Sequence, residues 1–296
     1  MGLKKYVMLV DRETGPLARL VPRLRELDFR VVLVPDPLAA VEFVQAFPKL
    51  SMIAVSDSLN PEQNARLLTK IRETQPSLPL LWHGAPHTLP AGAVAEILPH
   101  DRLTAGDLVA CAERLLCQHF YPQDFALYLT ETALMSFGAF GAHASCADPF
   151  LKASRTRLAE LSAVIAFSGA LTSGHLLISA GRSAARDAHA RMFRDAPPAN
   201  EEAMMDLLGE CSNRIIGRLL AYFEQRGRPF TFGVPIYLAG DHCVLWQGAH
   251  GPSLALEFEG LGGRLFAEFC IDAFDPIQSN TVFPEDLLQS GQCILL

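Results

Sequence analysis

The sequence predicts a doubly wound α/β half with a five-stranded parallel sheet, followed by an α+β half with an antiparallel sheet and long helices. Short apolar runs alternate with amphipathic stretches as far as residue 117, which is typical of a parallel sheet covered on both faces. Two apolar strands then flank a Gly-rich turn at 164–179, and a long amphipathic stripe follows residue 200. A chain of 296 residues has the size of two domains, which we predict at 1–120 and 125–278, with a tail at 279–296.

The first half is predicted element by element from its apolar runs. Strands are predicted near 5–10, 30–34, 50–56, 78–83 and 94–98. Helices are predicted near 15–27, 37–47, 61–74 and 104–117. In parallel sheets of this kind, functional groups gather beyond the carboxyl ends of the strands. Asp11 and Asp57 each follow a predicted strand, so both are candidates for a site at that edge.

One long helix dominates the second half. It is predicted to begin after Asn200, a good N-cap residue, and to end at Gly227. Apolar residues recur along it at three- and four-residue steps, namely Met204, Leu207, Leu208, Cys211, Ile215, Leu219 and Phe223. Glu210 and Asn213, three residues apart, therefore project together from the opposite, outward face. A helix near 125–137 and strands near 230–237, 254–258 and 265–269 complete this half.

Composition and charge exclude several function classes. The net charge of −7 and the absence of a Lys/Arg cluster argue against a nucleic-acid or anionic-membrane surface. No run reaches membrane-spanning length. The seven cysteines are scattered and odd in number, which indicates reduced thiols and a cytoplasmic protein. Neither these cysteines nor His83 and His87 form a convincing metal site, so no metal is expected in this chain.

The polar pair on the long helix belongs to a wider motif. Asp206, Glu210, Asn213 and Pro235 follow the spacing Asp-x3-Glu-x2-Asn-x21-Pro, with an apolar hairpin before the motif and Gly217 after the Asn. In this respect the segment from about 125 to 274 resembles the CheX branch of the CheC/CheX/FliY phosphatases, which dephosphorylate chemotaxis response regulators.

The resemblance implies a role for each residue of the pair. Asn213 would orient the water that attacks the aspartyl phosphate, and Glu210 would pair with the conserved lysine of the partner. Some relatives carry a second Glu-x-x-Asn helix, but here Glu131 is followed by Leu134 where that Asn would stand, so one site remains. Relatives with one site tend to be homodimers, and we expect a homodimer.

The first half resembles a response-regulator receiver, with Asp57 at the phosphoacceptor position and Asp11 in the acid pocket. Several other receiver positions are altered. Arg12 follows Asp11 where a second acid is usual, Gly84 replaces the switch Ser or Thr, and Asp101 stands where receivers have a lysine. A carboxylate at that last position would repel a phosphoryl group. The resemblance therefore implies a degenerate receiver in which Asp57 is not phosphorylated normally.

These differences also bear on the partner. Glu210 needs a lysine, and the receiver-like half of this chain offers Asp101 instead. The expected substrate is therefore a separate, phosphorylated CheY-like response regulator, which would carry its own Mg²⁺. Two alternatives stay open: a non-enzymatic signalling adaptor in which both halves only bind partners, and a regulated protein in which phosphorylation of Asp57 gates the second half.

Overall fold

A computed structural model of the chain describes residues 3–47, 49–75, 78–85, 96–99, 103–115, 121, 123–138, 145–153, 156–193, 199–240, 244–245, 253–259 and 262–271. The predicted tail at 279–296 and Asp101 lie outside these residues.

The first half is built around parallel strands. They are β1 (Lys4–Val10), β2 (Phe29–Val34), β3 (Met52–Ser56), β4 (Leu80–His83) and β5 (Glu96–Leu98), in the order β2-β1-β3-β4-β5. The helices are α1 (Val21–Glu26), α2 (Pro37–Ala46), α3 (Pro61–Thr74) and α4 (Ala105–Leu115). Asp36 and Asn60 cap α2 and α3 with side-chain oxygens, and each helix has a proline in its first turn.

The first predicted helix is much shorter than expected. Residues 15–27 were expected to be helical throughout, but the structure has a short 3-10 turn at Ala18–Leu20 followed by α1. Pro22 explains the difference, because its ring and missing N–H are tolerated only in the first turn of a helix.

The second half is an antiparallel sheet covered by helices. Its helices are α5 (Gln123–Gly138), α6 (Arg182–Met192) and α7 (Glu201–Glu224). Its strands are β6 (Ser145–Cys146), β7 (Phe150–Lys152), β8 (Thr156–Arg157), β9 (Leu161–Ser168), β10 (Ser173–Ala180), β11 (Thr231–Phe232), β12 (Ile236–Ala239), β13 (Val244–Leu245), β14 (Ser253–Glu259) and β15 (Leu265–Ile271). The central order is β9-β10-β15-β14-β7, β11 and β12 both pair with the outer edge of β9, and β8 pairs with β13.

The two halves share one sheet and one core. Strand β7 pairs in parallel with the start of β1, with Lys4 opposite Phe150 and Lys5 opposite Leu151. The buried Ser51 hydroxyl reinforces this junction, because it accepts from the Tyr6 N–H and donates to the Leu151 carbonyl. A single cluster of buried apolar side chains runs from β1 and α4 into α5, α7 and the antiparallel strands. We therefore expect the two halves to unfold together.

A buried ion pair fixes β7 against its neighbours. Lys152 on β7 lies 3.2 Å from the Glu268 carboxylate on β15, and their side chains are 7% and 0% exposed. The Ser253 hydroxyl on β14 donates to the same carboxylate at 2.6 Å. Three strands thus converge on one carboxylate, and one of them, β7, also pairs with β1.

Candidate functional site

Helix α7 presents the candidate residues. Asn200 caps it by accepting from the Ala203 N–H at 2.8 Å, and the acidic Glu201 and Glu202 lie in its first turn, where the helix dipole favours them. All seven residues of the predicted apolar stripe are buried. The outward face of α7 is exposed and carries Asp206, Glu210, Asn213, Arg214, Gly217, Arg218 and Ala221.

The structure places Glu210 and Asn213 on this exposed face. No described residue hydrogen-bonds the Asn213 carboxamide. One turn further along, a Cβ added to Gly217 would meet nothing within 4 Å, so the helix surface beside Asn213 is open. A carboxamide on a bare helix face can enter the site of another protein and hold a water molecule there.

Glu210 forms an ion pair with Arg214, which the sequence analysis did not consider. The Arg214 Nε donates to Glu210 Oε1 at 2.8 Å, and the side chains are 44% and 49% exposed. Exposed pairs at this helical spacing stabilise a protein by only about 0.3–0.5 kcal/mol. Glu210 can therefore exchange this partner for another cation at little cost.

Strand β12 brings a tyrosine to the same turn of α7. A Cβ added to Gly209 would lie 2.1 Å from the Tyr237 hydroxyl oxygen, so the phenol rests directly on the helix backbone at that residue. Burial, and secondarily the charge of Asp206, raise the pKa of Tyr237. The sequence carried a signal for this contact, because an isolated glycine within a helical pattern usually has a packing reason.

Asp11 serves as a structural acceptor in the first half. Its carboxylate is fully buried and accepts from the backbone N–H groups of Arg12, Leu17 and Ala18 at 2.9, 2.6 and 3.3 Å, and from the Ser58 hydroxyl. The oxygens that a receiver offers to Mg²⁺ are here occupied by donors of the same chain. Among the described residues, no group of three or more His, Cys, Asp or Glu side chains could hold a metal. In the described part of the chain, the Asp11 carboxylate therefore does not fit the role of a magnesium ligand, because both of its oxygens already accept hydrogen bonds.

Asp57 is also tied to its surroundings. It follows β3, as predicted, and its Oδ2 accepts from the Ala85 N–H at 3.1 Å. A Cβ added to Gly84 would lie 2.2 Å from that oxygen, and Gly84 has φ +148°, a conformation that side chains rarely adopt. The switch Ser or Thr of a receiver would therefore collide with the Asp57 carboxylate in this arrangement.

We expect Asp11→Ala to destabilise the whole chain by about 2–3 kcal/mol, because it leaves buried backbone donors without their charged acceptor. Urea unfolding of both proteins measures the difference. Glu13→Ala, an exposed acidic change two residues away, is the control and should shift the free energy of unfolding by less than about 0.5 kcal/mol. An Asp11→Ala variant as stable as the wild type would contradict a capping role.

Other sequence candidates are not brought together with the site. Cys211 is buried on the apolar side of α7, where burial raises the pKa of its thiol, so it is no nucleophile. Glu131 on α5 is exposed, whereas Leu134 packs against the core. His87 lies outside the described residues. Among the helices described, none has the length and apolarity needed to cross a membrane.

Comparison with solved structures finds chemotaxis proteins and receiver domains that each match part of this chain. A CheC-like protein from Shewanella oneidensis MR-1 shares 21% identity over 49% of this chain and 95% of its own, with a TM-score of 0.45. A CheX from Borrelia burgdorferi, solved in complex with CheY, BeF3 and Mg²⁺, shares 15% identity over 48% of this chain and 97% of its own, with a TM-score of 0.38. The receiver domain of a sensor histidine kinase from Pseudomonas aeruginosa PAO1 shares 19% identity over 38% of this chain and 97% of its own, with a TM-score of 0.30.

Comparison with curated proteins gives no match. Comparison with family models gives one match, and the matched segment contains the β9–β10 hairpin, α7 and most of the strands after α7. Residues 161–259 match the model of the chemotaxis phosphatase CheX, and this range contains both Glu210 and Asn213. The part of the chain that carries the candidate site is therefore similar to the chemotaxis phosphatase CheX.

Proposed function

We propose that this protein hydrolyses the aspartyl phosphate of a separate, CheY-like response regulator. The observation that carries the proposal is the joint exposure of Glu210 and Asn213 on one open face of α7, within the segment that matches the CheX model. A phosphatase that acts on a folded partner needs its working side chains outside its own core. A CheX-like segment with these two side chains buried would not support this function.

Asn213 would act by aiming a water molecule. Transfer of a phosphoryl group passes through a loose transition state with little covalent chemistry left for the protein, so positioning accounts for most of the effect. The carboxamide can accept from the water and hold it in line with the phosphorus, while the Mg²⁺ and lysine of the partner balance the phosphoryl charge. Such positioning can lower the barrier by several kcal/mol.

Glu210 would anchor the lysine of the partner. In the free protein its carboxylate pairs with Arg214 at 2.8 Å, and both groups are about half exposed. Docking would exchange one exposed ion pair for another, now shielded by the partner. The exchanged pair gains strength because water is excluded from the contact.

The receiver-like half would not be the substrate. Asp11 and Asp57 both accept hydrogen bonds from their own chain, and both oxygens of the buried Asp11 carboxylate are occupied in this way. We propose that this half is a pseudo-receiver, that the Mg²⁺ of the reaction belongs to the partner, and that the boundaries 1–120 and 125–278 separate the two roles.

The proposal is tested by phosphate release in trans. A stand-alone receiver is phosphorylated with a small phosphodonor in Mg²⁺ buffer, the donor is removed, and decay is followed with and without catalytic amounts of the full chain. We expect the full chain to accelerate decay at least about tenfold. Unchanged decay together with measurable binding of the phosphorylated receiver would favour the alternative of a non-enzymatic adaptor.

We further propose a homodimer formed through β12. Val234 and Ile236 are 81% and 61% exposed, and among the described strands β12 pairs only with β9, on one of its edges. An exposed apolar edge strand tends to pair with another strand, and a second copy of this chain supplies an identical strand.

Light scattering after gel filtration tests the dimer. We expect about twice the monomer mass for the wild type, and the monomer mass for Ile236→Lys, because a lysine at this edge disfavours strand pairing. Leu38→Lys is the control, since Leu38 is 64% exposed on α2 in the other half and should leave the mass unchanged. A monomeric wild type would contradict the assembly.

A further inference from the structure

Gly209 stands in the middle of α7, where glycine is less favourable than alanine. Its local surroundings explain why a side chain is absent. A Cβ there would lie 2.1 Å from the Tyr237 hydroxyl oxygen and 2.9 Å from both Cε1 and Cζ of the same ring. The glycine therefore makes room for one particular phenol, one residue before Glu210.

A β-bulge turns Tyr237 toward the helix. Along the outer edge of β9, Phe232 pairs with Phe167 but Ile236 pairs with Val164. Three residues lie between Phe232 and Ile236 on the β11–β12 segment, whereas two lie between their partners on β9. The β11–β12 segment therefore carries one extra residue. An extra residue reverses which side chains face which side of the sheet from that point on.

Pro235 lies within this bulge and suits it, because proline has no N–H to give to a ladder. With the shifted register, Tyr237 pairs with the buried Ala163, which belongs to the core beneath α7. Ile236 and Leu238 face the other side of the sheet. Pro235, the proline of the sequence motif, therefore favours the register in which the Tyr237 side chain points toward α7.

Tyr237 lies beside the proposed site. Gly209 and Asn213 are four residues apart, hence one turn apart on the same face, or about 6 Å along the axis. Burial raises the pKa of Tyr237, and the charge of Asp206, one turn before Glu210, raises it further. Tyr237 is 41% exposed and lies on the α7 side of β12, opposite to Ile236, so another protein docked on α7 can still reach it. Its hydroxyl is protonated at neutral pH, as tyrosine hydroxyls ordinarily are, and can donate a hydrogen bond.

We propose that Tyr237 is a third residue of the site, a docking residue that donates a hydrogen bond to the incoming receiver next to Asn213. This inference rests on the proposed phosphatase function and adds to it a specificity contact outside the Glu-x-x-Asn pair. Gly209 and Pro235 are positioning residues. Gly209 leaves space for the Tyr237 ring, and Pro235 favours the register that turns this ring toward α7. The ring does not take part in the hydrolysis itself, which Asn213 serves.

The experiment measures KM and kcat separately, with the phosphorylated stand-alone receiver as varied substrate and the full chain as enzyme. Tyr237→Phe is expected to raise KM about tenfold and to leave kcat within about twofold, because binding loses a hydrogen bond while water positioning is untouched. Gly209→Ala should raise KM similarly, since its methyl group displaces the ring. The double variant should resemble either single variant, because both changes remove the same contact.

Tyr128→Phe is the matched control. Tyr128 also touches α7, where its hydroxyl donates to the Arg218 carbonyl at 3.1 Å, more than a turn beyond Asn213. Its removal should leave KM unchanged.

Three results would overturn the inference. A wild-type KM in Tyr237→Phe, or KM effects of Gly209→Ala and Tyr237→Phe that multiply in the double variant, would remove the docking role of Tyr237 and leave the phosphatase proposal standing. A wild type without activity would remove both.

Discussion

Asn213→Ala is expected to lower the rate of phosphate release from a phosphorylated receiver at least about 100-fold, with no change in fold or thermal stability. The reason is that the carboxamide is exposed and makes no hydrogen bond with any described residue, so its removal costs the folded chain nothing. Its loss removes the group that orients water, and positioning effects of this kind are worth several kcal/mol of barrier.

The measurement follows the decay of the phosphorylated receiver under single-turnover conditions, where docking is saturated. Gln225→Ala is a suitable control, because it removes an exposed carboxamide from the far end of the same helix and should leave the rate unchanged. Asn213→Asp should be at least as inactive as the alanine variant, since a carboxylate would repel the phosphoryl oxygens. Equal rates for the wild type and Asn213→Ala would remove the proposed mechanism.

Glu268→Gln is expected to lower the free energy of unfolding by about 3–5 kcal/mol, because it leaves the charge of Lys152 buried without its counter-ion. The carboxylate lies 3.2 Å from Lys152 and is fully buried, so water cannot replace it. Lys152→Met should be comparably destabilising, since it leaves the carboxylate as the unpaired charge. Both variants break the ion pair that fixes β7, the strand that joins the halves.

Urea unfolding followed by the fluorescence of Trp82 and by circular dichroism provides the measurement, with Trp246→Phe as background. Trp82 is buried in the first half, whereas Glu268 lies in the second, so a common midpoint in both signals would show that the halves lose stability together. The double variant Lys152→Met/Glu268→Leu should recover most of the loss, because two apolar side chains leave no unpaired charge. A Glu268→Gln variant as stable as the wild type would mean that the pair is not a structural tie.

Local patterns in the sequence predicted much of this architecture. The periodic stripe placed the inward side of α7 and hence the outward position of Glu210 and Asn213, because helical periodicity depends only on neighbours a few residues apart. Asn200 and Gly227 likewise marked where α7 begins and ends within a few residues. Helix α6 was not predicted, since its alanines and arginines give a weak apolar stripe.

Contacts between distant parts of the chain could not be predicted in this way. The β1–β7 pairing joins residues about 145 positions apart, and nothing in either short strand specifies the other. The role of Asp11 as a cap depends on a loop that folds back over it. The direction of Tyr237 depends on a register shift by one residue, which no alternation pattern reveals.

The pairing of β1 with β7 also governs how this protein can be divided. A fragment ending before α5, or one starting there, would bare a row of backbone N–H and C=O groups and cut through packed apolar side chains. Such a fragment is expected to aggregate with other copies of itself. The two halves are therefore expected to be produced and handled as one folding unit.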